Sequence, residues 1–294
     1  GAAPLARQRR VGLSSVMVRK YDAVLLDLDG TLVDDEDRIH PRTLAALRTA
    51  AKQGVRVMVA TGRSELATEP VLRALDIDMP AIVFNGAALW CSKTGRFLEE
   101  RVLSERTLGR VLDYGSSHGL LTVVMCAGKK FALAPRNEVE RLALHDMTGL
   151  EYSEASALRR HRAIRVTLFS ATQPTSDTFA ADVQRAIDQP VYLTHFPLNL
   201  LAHHRESNLL VVDLHPPCRG KGEALRVLAE RYDVAPERVV AIGDAANDLD
   251  MFSRAGLSVA MENSMPEASA AASRIIGRND SDTIGALVEE LFLA

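Results

Sequence analysis

The chain has little of several things, and each shortage removes a class of protein. Aromatic residues make up 5% of it and tryptophan occurs once. Cysteine occurs three times, at Cys91, Cys126 and Cys218. The odd count and the wide spacing argue against both a disulfide framework and a cysteine metal site, and fit reduced thiols in a cytosolic setting. Neither charge dominates: 35 basic against 38 acidic residues leave a net charge of −3, which argues against a dedicated nucleic-acid binder. No apolar run is long enough to span a bilayer. The expectation is a cytoplasmic protein with no nucleic-acid or membrane partner, either a monomer or a homodimer.

What remains is ordinary globular composition, with 47% hydrophobic and 25% charged residues in a chain of 294. That length suggests two domains. Residues 1–20 stand apart, because Arg7, Arg9, Arg10, Arg19 and Lys20 occur there with no acidic residue. A disordered extension or the leftover of a cleaved tag is expected, with a targeting segment as the alternative.

From Tyr21 onward, short apolar runs alternate with amphipathic stretches. Tyr21–Leu28, Val55–Ala60 and Ala81–Phe84 read as buried strands, separated by helices over Pro41–Gln53 and Ser64–Leu75. This is the rhythm of a doubly wound α/β parallel sheet. After Gly86 the pattern turns to hairpins mixed with helices, beginning with a hairpin around Lys93-Thr94-Gly95. The α/β rhythm resumes with a helix at Lys221 and a buried strand at Val239–Ile242. We therefore expect a core made of residues 21–86 and 213–294, interrupted by an α+β insert at residues 87–212.

Polar residues gather where the core strands end. Asp27 and Asp29 follow the first strand, Thr61 the second and Asn85 the third; Asp244, Asn247 and Asp248 follow a later one. In open parallel sheets ligands bind at this carboxyl rim. On an extended segment Asp27 and Asp29 share a face. Asp27, Asp29, Asp244 and Asp248 form a hard oxygen donor set suited to Mg²⁺, with no histidine or cysteine cluster to favour a softer metal. Lys221 and the Thr61 hydroxyl are suited to phosphate oxygens, and aspartate is a nucleophile capable of carrying a phosphoryl group.

These residues carry a resemblance. Asp27-Leu28-Asp29-Gly30-Thr31, Thr61 within Val59-Ala60-Thr61-Gly62-Arg63, Lys221 within Gly220-Lys221-Gly222-Glu223 and Gly243-Asp244-Ala245-Ala246-Asn247-Asp248 match, in order, the four motifs of the haloacid dehalogenase (HAD) superfamily. Phe84-Asn85-Gly86-Ala87 and Val259-Ala260-Met261-Glu262-Asn263 are similar to segments of its Cof-type phosphatases, which carry a C2-type cap. The resemblance implies a phosphatase. Asp27 would attack phosphorus, and Asp29 would protonate the leaving oxygen and then activate water. Asp27, Asp244 and the backbone carbonyl of Asp29 would bind Mg²⁺, with Asp248 direct or through water. Thr61, the Gly62 amide, Lys221 and Asn247 would hold the phosphoryl oxygens. Arg63 and Asn85 are weaker candidates for touching substrate, and the insert would be the cap that selects it.

The expected substrate is a small phosphate ester, a sugar phosphate or similar monoester. The alternatives are a phosphomutase, for which Arg159-Arg160-His161-Arg162 is the best second phosphate cluster, and a non-catalytic metabolite sensor. His195, His203 and His204 read as solvated or substrate-facing rather than metal ligands, and Cys218 as inert.

Overall fold

The structure, a computed structural model, describes residues 19–294. The expectation for residues 1–20 falls almost wholly outside the described residues. The chain begins with β1 (Ala23–Leu26), α1 (Pro41–Lys52), β2 (Arg56–Val59), α2 (Glu65–Leu75) and β3 (Ala81–Val83). A hairpin, β4 (Ala88–Cys91) and β5 (Arg96–Glu100), follows. Next come α3 (Glu105–Ser117), β6 (Leu121–Cys126), β7 (Lys129–Ala132), α4 (Glu138–Leu144), β8 (Leu150–Tyr152), α5 (Ala155–Leu158), β9 (Arg165–Ser170), α6 (Ser176–Ile187), β10 (Tyr192–Pro197) and β11 (Leu210–His215). The chain closes with α7 (Glu223–Tyr232), β12 (Val239–Gly243), α8 (Leu249–Phe252), β13 (Leu257–Met261), α9 (Pro266–Ala271), β14 (Arg274–Ile276) and α10 (Thr283–Val288).

Five strands form a parallel sheet in the order β14-β13-β12-β1-β2. A single parallel bridge, Ala60 to Ile82, continues it to β3. All four residues of β1 are fully buried, as a central parallel strand covered on both faces requires. The strand order reverses between β1 and β12. Right-handed crossovers then put the two sets of helices on opposite faces, and the reversal opens a crevice at the strand ends. This is the doubly wound fold expected.

The insert is built on a six-stranded sheet in the order β10-β11-β9-β6-β7-β8, antiparallel except for β7 with β8. One face is apolar: Val124, Val166, Leu168 and Val212 pack with Val111 of α3 and Phe179 of α6. On the other face Val123, Met125, Phe169 and Val211 join the core domain's own cluster.

Two details differ from the sequence expectation. The β4–β5 hairpin, expected inside the insert, pairs through β4 with β3 and so extends the core domain's own strand set. At the other end, β11 runs on to His215, so Asp213 and His215 lie on the insert's sheet rather than in the core. Both segments are apolar strands whichever domain they pair with, and pairing partners are set by contacts distant in sequence.

Candidate active site

The site begins where β1 stops. The strand ends at Leu26, and the Asp27 N–H still donates to Ile242 of β12 at 3.0 Å. The chain then turns: Thr31 and Val33 N–H groups both donate to the Leu28 carbonyl at 3.1 Å. Gly30 has φ +70°, and a Cβ there would collide with the Asp244 carboxylate. Only glycine therefore lets this loop pass so close to Asp244. Asn263, just past β13, donates its side-chain amide to the Gly30 carbonyl at 2.8 Å and pins the turn.

Asp27 and Asp29 occupy different environments, because the chain has left the extended conformation and same-face spacing no longer governs them. Asp27 is buried, and its Oδ1 lies 2.7 Å from the Lys221 ammonium. Asp29 is about half exposed at 48% and sits in the fork of Arg63, whose Nε and Nη2 reach its two oxygens. Arg63 also pairs with Asp37 at 2.5 Å.

Lys221 is 1% exposed. Besides Asp27 it donates to Asp248 Oδ1 at 2.7 Å and to Asn247 Oδ1 at 3.2 Å. The other oxygen of Asp248 accepts the backbone N–H groups of Asp244 and Ala245 at 2.8 and 2.9 Å. Asp248 is thus a brace that ties Lys221 to the loop after β12. Gly243 makes room for it, since a Cβ there would strike the Asp248 carboxylate.

The balance of charge is uneven. Burial opposes the Lys221 charge, but Asp248 and Asp27 outweigh it and hold the ammonium above its ordinary range. Burial raises Asp27 well above the usual carboxylate range, and Asp248 and Asp244 add to the rise against the pull of Lys221. Burial, with Asp248, pushes Asp244 up to about 7. One lysine does not compensate this many buried carboxylates.

A cation fits that deficit. Asp27, Asp244 and Asp248 each present an oxygen, all within 4.8 Å of one another. The donors are all carboxylate oxygens, the chemistry Mg²⁺ prefers. The Asp29 side chain is not in this set. Among the described residues no other group of this kind occurs, and His195 and His204 bond instead to Ser176 at 3.1 Å and Asp146 at 3.2 Å. Burial pushes the Cys218 thiol up to about 11, which keeps it protonated.

Thr61 is fully buried after β2, with its Oγ1 accepting the Arg63 N–H at 3.1 Å. Asn85 lies in a run of three left-handed residues, Phe84, Asn85 and Gly86. Such backbone costs about 1–3 kcal/mol for each non-glycine residue. The turn places the Asn85 side chain between Asn247 of the core, at 3.0 Å, and Thr194 of the insert, at 3.2 Å.

Several residues at this rim escaped sequence reasoning. Arg165 of β9 donates to the Gly62 carbonyl at 2.6 Å and pairs with Asp213 at 3.5 Å. Glu65, one residue into α2's first turn, accepts the Gly128 N–H of the β6–β7 turn at 2.6 Å. Tyr192 of β10 donates to Asp250 of α8 at 2.7 Å. These contacts seat the insert's sheet on the rim. Asn263, by contrast, stood in the Val259–Asn263 segment that resembles Cof-type phosphatases.

A parallel α/β core, an inserted antiparallel sheet and a Lys-bridged carboxylate cluster at the strand ends define a phosphoryl-transfer hydrolase architecture. The chain belongs to the haloacid dehalogenase-like hydrolase family, whose model matches residues 24–287, and within it is a phosphatase. It is 29% identical over 289 residues to pyridoxal phosphate phosphatase YbhA of Escherichia coli, with 90% of this chain and 96% of that protein covered. It is 26% identical to 5-amino-6-(5-phospho-D-ribitylamino)uracil phosphatase YwtE of Bacillus subtilis, with 91% and 97% covered. In fold it is similar to a haloacid dehalogenase-like hydrolase from Bacteroides thetaiotaomicron, with a TM-score of 0.76, 22% identity and 93% and 100% of the two chains covered.

Proposed function

We propose that the chain is a Mg²⁺-dependent phosphatase that hydrolyses a small phosphorylated metabolite, a sugar phosphate or similar monoester, through an aspartyl-phosphate on Asp27. The observation that carries this reading is Asp27 itself: buried, anchored by Lys221 and flanked by Asp244 and Asp248.

Asp27 attacks phosphorus, and the bond from phosphorus to the leaving oxygen breaks. Asp29 gives that oxygen its proton. Water then attacks the acyl phosphate, Asp29 accepts a proton from it, and inorganic phosphate leaves with the Asp27 carboxylate restored. Asp29 is exposed enough to meet both the leaving group and water. Arg63 donates to both of its oxygens, which suits the carboxylate form that takes a proton from water. Lys221, Thr61, the Gly62 amide and Asn247 stabilise the phosphoryl oxygens as charge redistributes. Asp27, Asp244 and the Asp29 carbonyl would hold Mg²⁺, which would supply the positive charge that Lys221 alone does not. Asp248 supports this arrangement through Lys221 and the loop after β12.

The relatives named for pyridoxal phosphate and a phosphoribityl-aminouracil support a small phosphorylated metabolite as substrate. The mutase reading gains nothing from the arginine cluster in the insert: Arg159 pairs with Asp113 and the His161 ring stacks on Phe131 at 3.8 Å. Phosphate release from 4-nitrophenyl phosphate and pyridoxal 5′-phosphate, with Mg²⁺ and after chelation, tests the proposal. Turnover that needs Mg²⁺ and vanishes in Asp27→Asn is expected; equal release by that variant would overturn it.

A further inference from the structure

The backbone groups of Thr61-Gly62-Arg63 are nearly all engaged. The Thr61 N–H donates to Ile82 at 2.9 Å, the Thr61 carbonyl accepts the Asn85 N–H at 3.0 Å, and the Arg63 carbonyl accepts the Phe84 N–H at 2.9 Å. The Arg63 N–H donates to the Thr61 hydroxyl oxygen at 3.1 Å. Among the described residues the Gly62 N–H has no protein partner, as an amide meant for a phosphoryl oxygen requires. One carbonyl remains, that of Gly62, and it is held from the insert: Arg165 of β9 donates to it through Nη1 at 2.6 Å.

Arg165 is itself fixed on several sides and is buried. Asp213 of β11 lies 3.5 Å from its Nη1, and Thr167 orients Asp213 by donating to its Oδ1 at 2.5 Å. Nε and Nη2 rest against the Met125 sulfur at 3.3 and 2.9 Å. The guanidinium lies over the Phe84 ring, 5.4 Å from its centroid. Phe84 opens the left-handed turn whose N–H groups hold the other two carbonyls of the loop. A buried ion pair contributes little net stability. What this one does provide is a single donor held at a single place.

We propose that Arg165 is a positioning residue for phosphoryl transfer, acting through the Gly62–Arg63 peptide on the Thr61 hydroxyl. This rests on the phosphatase reading above and adds to the phosphate site a residue of the insert that does not touch substrate. The hydrogen bonds run in one direction. The guanidinium donates to the Gly62 carbonyl, and the Arg63 N–H of the same peptide unit donates to Thr61 Oγ1. A hydroxyl has one proton to give; Oγ1 accepts from Arg63 and so directs its own proton onward, to a phosphoryl oxygen. Bonds in such a chain polarise one another, and the first is charge-assisted. Arg165 therefore both fixes the plane of the peptide and strengthens the donor at its far end.

The test is a double-mutant cycle on the full chain with Mg²⁺, reading kcat and KM for 4-nitrophenyl phosphate. Asp213→Asn is present throughout, so that removing Arg165 leaves no unpaired buried carboxylate. In that background Arg165→Met is expected to lower kcat about 10- to 100-fold, the loss that follows when a preorganised donor is misplaced, with the smaller change in KM. With Thr61→Val also present, the same substitution should cost under ~3-fold, because the hydroxyl it acts on is gone. A residue that merely holds the insert on the core would cost the same factor in both cases. Arg165→Lys, made in the otherwise unaltered chain, keeps the charge beside Asp213 but loses the guanidinium fork. It should lower kcat by several-fold with the same coupling to Thr61→Val, and it decides the question where the methionine variants do not fold. Equal losses with and without Thr61→Val, or kcat unchanged in every folded Arg165 variant, would overturn the proposal while leaving the phosphatase reading intact. A wild type that releases no phosphate from 4-nitrophenyl phosphate or pyridoxal 5′-phosphate would overturn the phosphatase reading itself.

Discussion

The core rim and the insert's polar face both bury charge, and they treat it in opposite ways. At the rim every buried side chain of the cluster is tied to another: Lys221 bridges Asp27, Asp248 and Asn247, and Asp248 returns to the backbone of Asp244 and Ala245. Away from that cluster, Glu65 Oε2 of the core and His161 Nε2 and His215 Nε2 of the insert's sheet region are buried without a hydrogen-bond partner among the described residues. The rim is organised before substrate arrives, as electrostatic stabilisation of a transition state requires. The insert carries no comparable network of bridged charges among the described residues; Arg165 and Tyr192 reach the rim through single hydrogen bonds, and Arg165 pairs with Asp213.

The sharpest way to break this comparison is at the rim. Asp27→Asn should abolish turnover, a loss of at least ~1000-fold in phosphate release, since no second carboxylate is held by Lys221 in attacking position. Lys221→Met should cost about 100- to 1000-fold in kcat/KM, the usual loss for one preorganised donor, and it leaves Asp27 and Asp248 facing each other uncompensated. Circular dichroism would show whether the fold survives.

Asp244→Asn separates activity from stability. Turnover and its response to Mg²⁺ should fall together, while metal-free Tm should rise. The sign follows from the raised pKa. Between the ordinary value of 3.8 and about 7, the folded state holds a proton that the unfolded state has lost, so wild-type stability falls as pH climbs through that window. The Tm gain of Asp244→Asn should therefore be larger at pH 8 than at pH 4.5, measured by thermal unfolding in chelator.

Lys130 gives the mirror case. Burial, with the charge of Arg165, pulls its ammonium down to about 8, against the opposing pull of Glu65 and Asp146. Below its ordinary pKa of 10.5 the unfolded chain takes up the proton before the folded one, so stability is lost as pH falls from there toward 8. The Tm difference between Lys130→Met and wild type should grow over that range. At the small end, Tyr192→Phe removes one hydrogen bond between insert and core and should cost about 1 kcal/mol, a shift of a few degrees. Arg159→Ala, at an ion pair on the surface, should change stability by under ~0.5 kcal/mol and leave turnover unaltered.

The same division explains what the sequence disclosed. Asp27, Thr61, Lys221 and Asp244 lie hundreds of residues apart at most, yet each follows an apolar run or opens a helix, and a parallel sheet sends all such positions to one rim. That rule is local and readable. Glu65, Lys130 and Arg165 obey no such rule. Lys130 sits in a short strand between Lys129 and Phe131, and only the register of β7 on β6 and β6 on β9 places it in line with Arg165, across Met125. Arg63 was legible as a residue of the phosphate-binding loop, but not its grip on Asp29, which depends on how the turn after β1 leaves the strand. The β14 strand was missed because it is only three residues long and its central residue, Ile275, is exposed. The β4–β5 hairpin was recognised as a hairpin but given to the wrong half of the molecule, since hairpin sequence does not name its neighbour.

The most direct test of the role given to Asp27 measures Mg²⁺-dependent phosphate release from 4-nitrophenyl phosphate by the wild type and by Asp27→Asn. Turnover that needs Mg²⁺ in the wild type, and none in Asp27→Asn, is the expected result. Equal release by Asp27→Asn would contradict it.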